Sequence, residues 1–494
     1  MRRRGGVLAA AGLVAALVGV VPVVGTAGAG SGTGCPATAF VTNNANTSVS
    51  TIDVATRTKN TPDITSFTGP EGVAITPDGK TAFVANTTGN SVSTIDVATR
   101  TKSGPDISIG AGTGPSGVAI TPDGKTVFVA NQGSGTNSVS TIDVATRTKN
   151  PTDIIVGVNP IGVAITPDGK TAFVTNQGTN PGNATVSTID VATRTKTNPD
   201  ITGFSTPYGV AITPNGKTAY VANSGTNTVT PIDMATGKAG TPIVVGSAPT
   251  AIAVAPSGAT VYVADQKSDT VTPISVASNT AATPISVGAG PTSIAITPNG
   301  ATAYVANSGS ATVTPIDTTT NTARAPITVG SAPAALAITP DGTTVYVANR
   351  GSGTVTPIST ASNTTASPIA VGTGPSGIAI TPDQAPIASF TARAVVIHNR
   401  CGFIGMFDAS ASIAPGAPIT KYDWNFGDGS VVRTSPQIFI SFNAGSYAVI
   451  LTETDADGTS TTRVFTGQTM SLNGGPSATR RATISGGSGS PYCS

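Results

Sequence analysis

Short runs of apolar and polar residues follow one another in a pattern that keeps returning along the chain. Gly72-Val-Ala-Ile-Thr76 leads into Pro-Asp-Gly-Lys, then Thr81-Ala-Phe-Val-Ala85, then Ser91-Val-Ser-Thr-Ile95. Runs of this length, rich in β-branched and aromatic residues and bounded by turn formers, predict strands. Asp78-Gly79 is a tight-turn signal, because glycine accepts the positive φ that such a turn demands. Asn215-Gly216 and Asn299-Gly300 offer the same geometry in other copies. A fourth segment is Asp106-Ile-Ser-Ile109, and Asp96-Val-Ala-Thr99 before it can close a turn by accepting backbone N–H groups on the Asp side chain.

The Thr-Pro-Asp-Gly-Lys element returns at Pro77, Pro122, Pro167, Pro214, Pro256, Pro298, Pro340 and Pro382, a spacing of 42 to 47 residues. Four strands in a unit of that length give the period of a β-propeller blade. First strands begin near residues 72, 117, 162, 209, 251, 293, 335 and 377. Second strands centre on Phe40, Phe83, Phe128, Phe173, Tyr220, Tyr262, Tyr304 and Tyr346. The count predicts an all-β fold with an eight-bladed β-propeller, a seven-bladed ring with one frayed blade being the alternative. The chain enters at a second strand (Ala37–Asn43) and leaves at a lone first strand (Gly377–Thr381). These two are expected to share one blade, a closure that removes free sheet edges.

The Phe/Tyr-Val-Ala/Thr-Asn strand, Val-Ser-Thr-Ile-Asp and Gly-Val-Ala-Ile-Thr-Pro-Asp-Gly together resemble the YVTN-type β-propeller repeat of prokaryotic surface and secreted proteins, over residues 37–382. The resemblance implies a fold and leaves the activity open, since propellers host many activities. After Pro382 the character changes. Ala385-Pro-Ile-Ala-Ser-Phe390, Phe407-Asp-Ala-Ser-Ala-Ser412, Tyr422-Asp-Trp-Asn-Phe-Gly-Asp-Gly429 and Gly445-Ser-Tyr-Ala-Val-Ile-Leu-Thr-Glu-Thr-Asp455 resemble a PKD domain, an immunoglobulin-like β-sandwich, over 385–485, with 486–494 as a tail. Independently of that likeness, Tyr447, Val449 and Leu451 alternate as a half-buried strand requires, and Trp424 can supply a large core contact. Thr479–Ile484 can supply a last strand. The immunoglobulin-like topology that the resemblance implies puts Cys401 and Cys493 at the same end of the sandwich, so a bridge between them is expected. A bridge to Cys35, or free thiols, are the alternatives.

Charged residues make up only 10% of the chain, against about 25% in ordinary soluble domains, so the exterior is expected to be Ser, Thr, Asn and Gly. A net charge of +2 provides no field for nucleic acid. Arg2-Arg-Arg4, the apolar run Val7 to Val24 and Ala27-Gly-Ala29 read as a signal peptide over 1–29, followed by a linker over 30–36. An uncleaved anchor is the alternative. The mature chain is therefore expected to be secreted or held non-covalently at the envelope, monomeric, and without stable membrane insertion.

Catalytic groups are sparse. The single histidine, His398, falls in the second domain, so a Ser-His-Asp triad or a His-rich metal site cannot be assembled within the repeats. Glu71 is the one glutamate between residues 37 and 382. Aspartates recur at matched positions, Asp53, Asp96, Asp143, Asp190, Asp233 and Asp317 in one turn and Asp78, Asp123, Asp168, Asp341 and Asp383 in another. Recurrence in blade after blade predicts turn capping on the bottom face. The informative residues break the repeat: Glu71 and Tyr208 stand where other units carry Ser116, Ile161, Thr250, Thr292, Ala334 and Ser376. Asp265, Lys267, Asp269 and Arg350 fall in the second set of loops, and the longest insertion is Gln177–Ala184. These are candidate ligand contacts on the top face, with ordinary drift of exposed loops as the plain alternative. Asp455-Ala-Asp-Gly458 lacks the ligands of a calcium loop and reads as a hairpin turn, while Asp408, Asp423 and Asp428 read as turn and strand-end residues. No cofactor, metal or catalytic residue is expected. The leading reading is a non-enzymatic binding or adhesion protein for envelope polysaccharide or surface proteins. A lactonase-like or other hydrolytic propeller and a purely structural surface array are the alternatives.

Overall fold

Each repeat folds on itself because a run of alternating small and β-branched residues is returned by a turn that its own side chains close. In the first complete repeat Thr76 Oγ1 donates to Asp78 Oδ1 at 2.6 Å, the Lys80 N–H donates to the same oxygen at 3.1 Å, and Gly79 takes a φ of 68°. The next turn rests against this one: a Cβ on Gly124 would lie 3.4 Å from Cδ of Pro77, and one on Gly169 would lie 3.4 Å from Cδ of Pro122. The Pro and Gly of the signature therefore do two jobs, shaping a turn and joining neighbouring repeats.

The computed structural model describes residues 20–23, 37–133, 135, 137–180, 182–384, 390–396, 403–410, 412, 419–426, 431–433, 435–442, 445–455, 472–473 and 479–486. Among them the repeats make eight antiparallel sheets, the blades of a closed propeller. We number the blades 1 to 8 by their innermost strands: Pro70–Ile75, Pro115–Ile120, Pro160–Ile165, Pro207–Ile212, Pro249–Val254, Pro291–Ile296, Pro333–Ile338 and Pro375–Ile380. Each begins two residues before the expected start, at a proline, and its register slips by a bulge just after that proline. Second strands such as Thr81–Asn86 are buried along their whole length, as a strand sandwiched by sheets on both faces must be.

Blade 8 closes the ring. Pro375–Ile380 pairs with Thr38–Asn43, with Phe40 opposite Ala379 and Val41 opposite Ile378, and Ser48–Asp53 and Thr58–Ile64 complete the sheet. The shared blade expected from the two chain ends is thus present, and the ring has eight blades. Eight hydrophobic clusters fill the eight seams between neighbours; in the seam beside the closing blade, Phe40, Val49, Ile64 and Phe67 pack on Ala82, Val84 and Ile95.

Outermost strands depart from the expected single segment. In blades 3 and 8 they run for seven residues, Thr195–Ile201 and Thr58–Ile64. Elsewhere they break into pairs such as Thr101–Lys102 and Ile107–Ser108, interrupted by a stretch in which Gly104 has a φ of 75°. Blades 4 to 7 carry Tyr where the others carry Phe, and the phenol reaches the next blade. Tyr220, Tyr262 and Tyr304 donate to Oδ1 of Asn279, Asn321 and Asn363 at 2.6, 2.7 and 2.6 Å, and Tyr346 donates to the Val54 carbonyl at 3.1 Å.

The C-terminal unit, from Asp383, is a separate compact body. One sheet contains Thr391–Val396, Phe403–Asp408 and Gln437–Phe442, with Val20–Val23 paired at its edge. The other contains Val431–Arg433, Ile419–Asn425, Gly445–Asp455 and Thr479–Gly486. Trp424 is fully buried at the centre, edge-on to Phe390 at 5.1 Å, and its Nε1 donates to the Ser435 carbonyl at 3.0 Å. Val449 and Leu451 are buried as their alternation predicts. His398, Asp428, the three cysteines, and with them the expected Cys401–Cys493 bridge, lie outside the described residues.

Candidate functional site

The site is built where the eight innermost strands approach the axis. Glycine at the third position of five of them sets how close they come. A Cβ on Gly72 would lie 2.3 Å from the Ser116 carbonyl, one on Gly117 2.4 Å from that of Ile161, and one on Gly377 2.4 Å from that of Glu71. Side-chain hydroxyls tie the same ends together: Thr42 Oγ1 donates to the Glu71 carbonyl at 2.7 Å and Thr175 Oγ1 to that of Tyr208 at 2.9 Å.

The strands enclose an axial cavity of about 510 Å³. Its lining includes one aliphatic residue from every blade, Val73, Val118, Val163 and Val210 on one half and Ile252, Ile294, Leu336 and Ile378 on the other. The exposed wall is about as polar as it is apolar, because Val210, Ile252, Leu336 and Ile378 turn most of their side chains into the cores between blades. At one end stand Tyr208, Thr250 and Thr292. Tyr208 is 43% exposed. The Thr292 hydroxyl donates to the Pro333 carbonyl at 3.1 Å, whereas Thr250 Oγ1 is buried without a hydrogen-bond partner.

Of the residues singled out in the sequence, Tyr208 is the one that lines this cavity. Glu71 occupies the equivalent position in blade 1 with an exposed side chain, and its Oε2 accepts from Thr87 Oγ1 at 2.9 Å. Asp269 caps a neighbouring loop, its Oδ1 accepting the Gly290 N–H at 2.8 Å. Lys267 and Arg350 lie in the loops after second strands, held through their backbone N–H groups to Ser247 and Ala332. The insertion after Gln177 is organised by Asn183, whose Oδ1 accepts from the N–H groups of Thr179 and Asn180.

Asp265 departs from its expected place. It is the last residue of a second strand, Thr260–Asp265, fully buried, with Oδ2 accepting the Thr272 and Thr270 hydroxyls at 2.6 and 3.1 Å while Oδ1 has no partner. Burial pushes its carboxyl up to about 6. A side chain in that position cannot be a loop contact.

The recurring aspartates are turn caps. Asp53, Asp96, Asp143, Asp190 and Asp233 each accept the N–H and hydroxyl of the threonine three residues on. The Thr99 amide, foremost, holds the Asp96 carboxyl below its ordinary range. Among the described residues no group of three or more His, Cys, Asp or Glu side chains is gathered as a metal would need. No helix among them is long and apolar enough to cross a membrane. The aliphatic lining residues and Thr250 conform to the repeat, so in the sequence they look like scaffold; the signal for the lining is the Val, Ile or Leu two places after each mouth residue.

The geometry defines an eight-bladed propeller with an axial, uncharged cavity, joined in one chain to a β-sandwich. Residues 37–163, 68–198, 174–284 and 277–389 each match the family described as lactonase, 7-bladed β-propeller. The chain belongs to that family, with an eighth blade, and residues 383–469 match the PKD domain. A search of curated proteins finds no match. Among solved structures, hydrazine synthase of Kuenenia stuttgartiensis is 26% identical, with a TM-score of 0.50 over 60% of this chain and 97% of that one. The dihydro-heme d1 dehydrogenase NirN (11% identity, TM-score 0.57, 69% of this chain and 74% of that one) and AztD of Citrobacter koseri (14%, 0.55, 70% and 97%) are similar in fold.

Proposed function

We propose that this chain is an exported, non-enzymatic binding protein, a rigid propeller that carries a PKD sandwich and engages envelope polysaccharide or another surface protein. The observation that carries this reading is the division of polar groups. The recurring carboxylates are committed to turns, where one oxygen of each accepts a local N–H and a local hydroxyl, while the axial end carries threonines and an exposed tyrosine. Hydroxyls and an aromatic face suit an uncharged, hydroxyl-rich ligand. Hydrolysis of the glycosidic type would instead call for two free carboxyl groups flanking one bond.

Co-sedimentation of the full-length protein with purified cell wall and insoluble polysaccharide tests the reading. Tyr208→Ala with Glu71→Ala is expected to lower retention by about tenfold, the scale of one or two interface anchors. Equal retention by this variant and by a chain lacking residues 385–494 would reject it. The family match favours one second reading, lactone hydrolysis. A lactone panel showing turnover that Glu71→Ala abolishes would establish it.

A further inference from the structure

We infer that Asn215 and Asn299 are sites of spontaneous deamidation that the fold keeps closed, reacting only when the hairpin turns that carry them come apart. The inference goes beyond ligand binding and does not depend on it. Both asparagines precede a glycine, in the turns Thr213-Pro-Asn-Gly216 of blade 4 and Thr297-Pro-Asn-Gly300 of blade 6, and both are exposed to water. The chemistry is intrinsic to the pair. The backbone nitrogen of the glycine attacks Cγ of the asparagine, and the new N–Cγ bond replaces the one to Nδ2, which leaves as ammonia with the glycine N–H proton. Water then opens the cyclic imide to aspartate or to isoaspartate. A glycine, having no Cβ, hinders that approach least.

The folded turn withholds both reactants. The Gly216 N–H donates to the Thr213 carbonyl at 2.8 Å, and the Gly300 N–H to that of Thr297 at 2.8 Å. Oδ1 of Asn215 accepts from Thr213 Oγ1 at 2.8 Å and from the Lys217 N–H at 3.0 Å. Oδ1 of Asn299 accepts from Thr297 Oγ1 at 2.7 Å and from the Ala301 N–H at 3.0 Å. The threonines that hold these side chains are themselves buried. Proline in second place and a bond from the fourth residue back to the first make a type I turn, whose third residue has a ψ of about 0°. Closing the imide swings that ψ far away, so the bond across the turn has to break first.

Sister blades show which product the fold accepts. Asp78, Asp123, Asp168 and Asp341 stand at the same place, and Asp78 Oδ1 takes the equivalent two bonds, from Thr76 Oγ1 at 2.6 Å and the Lys80 N–H at 3.1 Å. Aspartate at 215 therefore keeps the turn and gains Lys217 as a neighbour, as Asp123 has Lys125 at 3.5 Å. Isoaspartate routes the main chain through the side chain, which removes the cap and lengthens the turn. The damage spreads to the next blade, because this turn is a packing surface: a Cβ on Gly258 would lie 3.4 Å from Cδ of Pro214.

Peptide mass spectrometry of the full-length protein aged at mildly alkaline pH, folded or in urea, tests this, with Asn473-Gly474, the other Asn-Gly pair of the chain, mapped separately. Conversion at Asn215 and Asn299 is expected to be about tenfold or more slower in the folded protein, since only the locally opened fraction reacts. Thr213→Val, which keeps the shape and removes the hydroxyl, should raise the folded-state rate at Asn215 by about three- to tenfold, the worth of one hydrogen bond, and leave Asn299 as it was. Thr297→Val should do the converse, so each variant carries its own control. Asn215→Asp should melt as the unaltered protein does. Equal rates in folded and unfolded chains, unchanged rates in the Val variants, or a lowered melting point for Asn215→Asp would overturn the proposal; the comparison of folded with unfolded wild type decides it if neither Val variant folds.

Discussion

At the scale of single residues, Asp265 stands out because asparagine fills its place in the seven other blades. At Asn307 the amide Nδ2 donates to the Thr312 and Thr314 hydroxyls, whereas at Asp265 the two equivalent hydroxyls must turn and donate to the carboxyl. Burial pushes the carboxyl of the folded chain up to about 6, from an ordinary value of 3.8. The folded state therefore holds this proton more tightly than the unfolded chain. Its stabilisation is complete below pH 4 or so and is lost as pH rises to about 6, a change on the order of 3 kcal/mol for two pKa units. Asp265→Asn is expected to raise stability at pH 7.5 by about 1–3 kcal/mol and to change it little at pH 4, measured by urea unfolding at both values. In the sandwich, Glu453 is fully buried, accepts the Ser412 hydroxyl at 2.5 Å, and is pushed by burial up to about 7. The sign is the same, so Glu453→Gln should flatten the stability profile of that unit between about pH 4.5 and 7. The sequence shows that Asp265 breaks a repeat. It does not show on which side of the strand end the residue falls, because Val-Ala-Asn runs on as strand beyond its apolar residues and the polar terminus looks like loop.

At the scale of elements, contacts between neighbouring blades are set by single atoms. Gly117 leaves no room for a methyl group beside the Ile161 carbonyl, 2.4 Å from an ideal Cβ. Blade 5 carries Ala251 at the equivalent place. Gly117→Ala is expected to cost about 1–3 kcal/mol through overpacking, read from thermal melts, with Ala251→Gly as the control of smaller effect. Tyr304→Phe removes a neutral inter-blade bond to Asn363 and should cost about 1 kcal/mol. Inner, second and third strands were legible from alternation and from Asp-Gly or Asn-Gly turns, since each is packed on both faces. The outermost strands were not. They have one neighbour and carry little apolar pattern, and every one contains a proline, at which six break in two while Thr58–Ile64 and Thr195–Ile201 run on through Pro62 and Pro199. The lining of the axial cavity is hidden for a different reason: its residues repeat, and a repeated residue looks the same in sequence whether it packs a seam or faces a cavity.

At the scale of the molecule, the ring is held by one seam that joins distant parts of the sequence. The Thr38 N–H donates to Thr381 Oγ1 at 2.9 Å and the Thr381 N–H returns to the Thr38 carbonyl at 2.9 Å, sealing the ladder between Thr38–Asn43 and Pro375–Ile380. A chain ending at residue 374 would expose the edge of Thr38–Asn43 and the open face of blade 7. It is expected to associate, as bare edges do, and light scattering after size-exclusion chromatography would show it; a monomeric product would count against closure as the source of solubility.

That seam also frees the number of blades from the rest of the design. Because the junction is made by residues near positions 40 and 378, a whole unit inserted anywhere between them, such as the 42 residues separating Pro256 from Pro298, alters the circumference while leaving the clasp untouched. A ring of seven such units and this ring of eight can then use one fastening, and the bore through the middle becomes the dimension that each added segment widens.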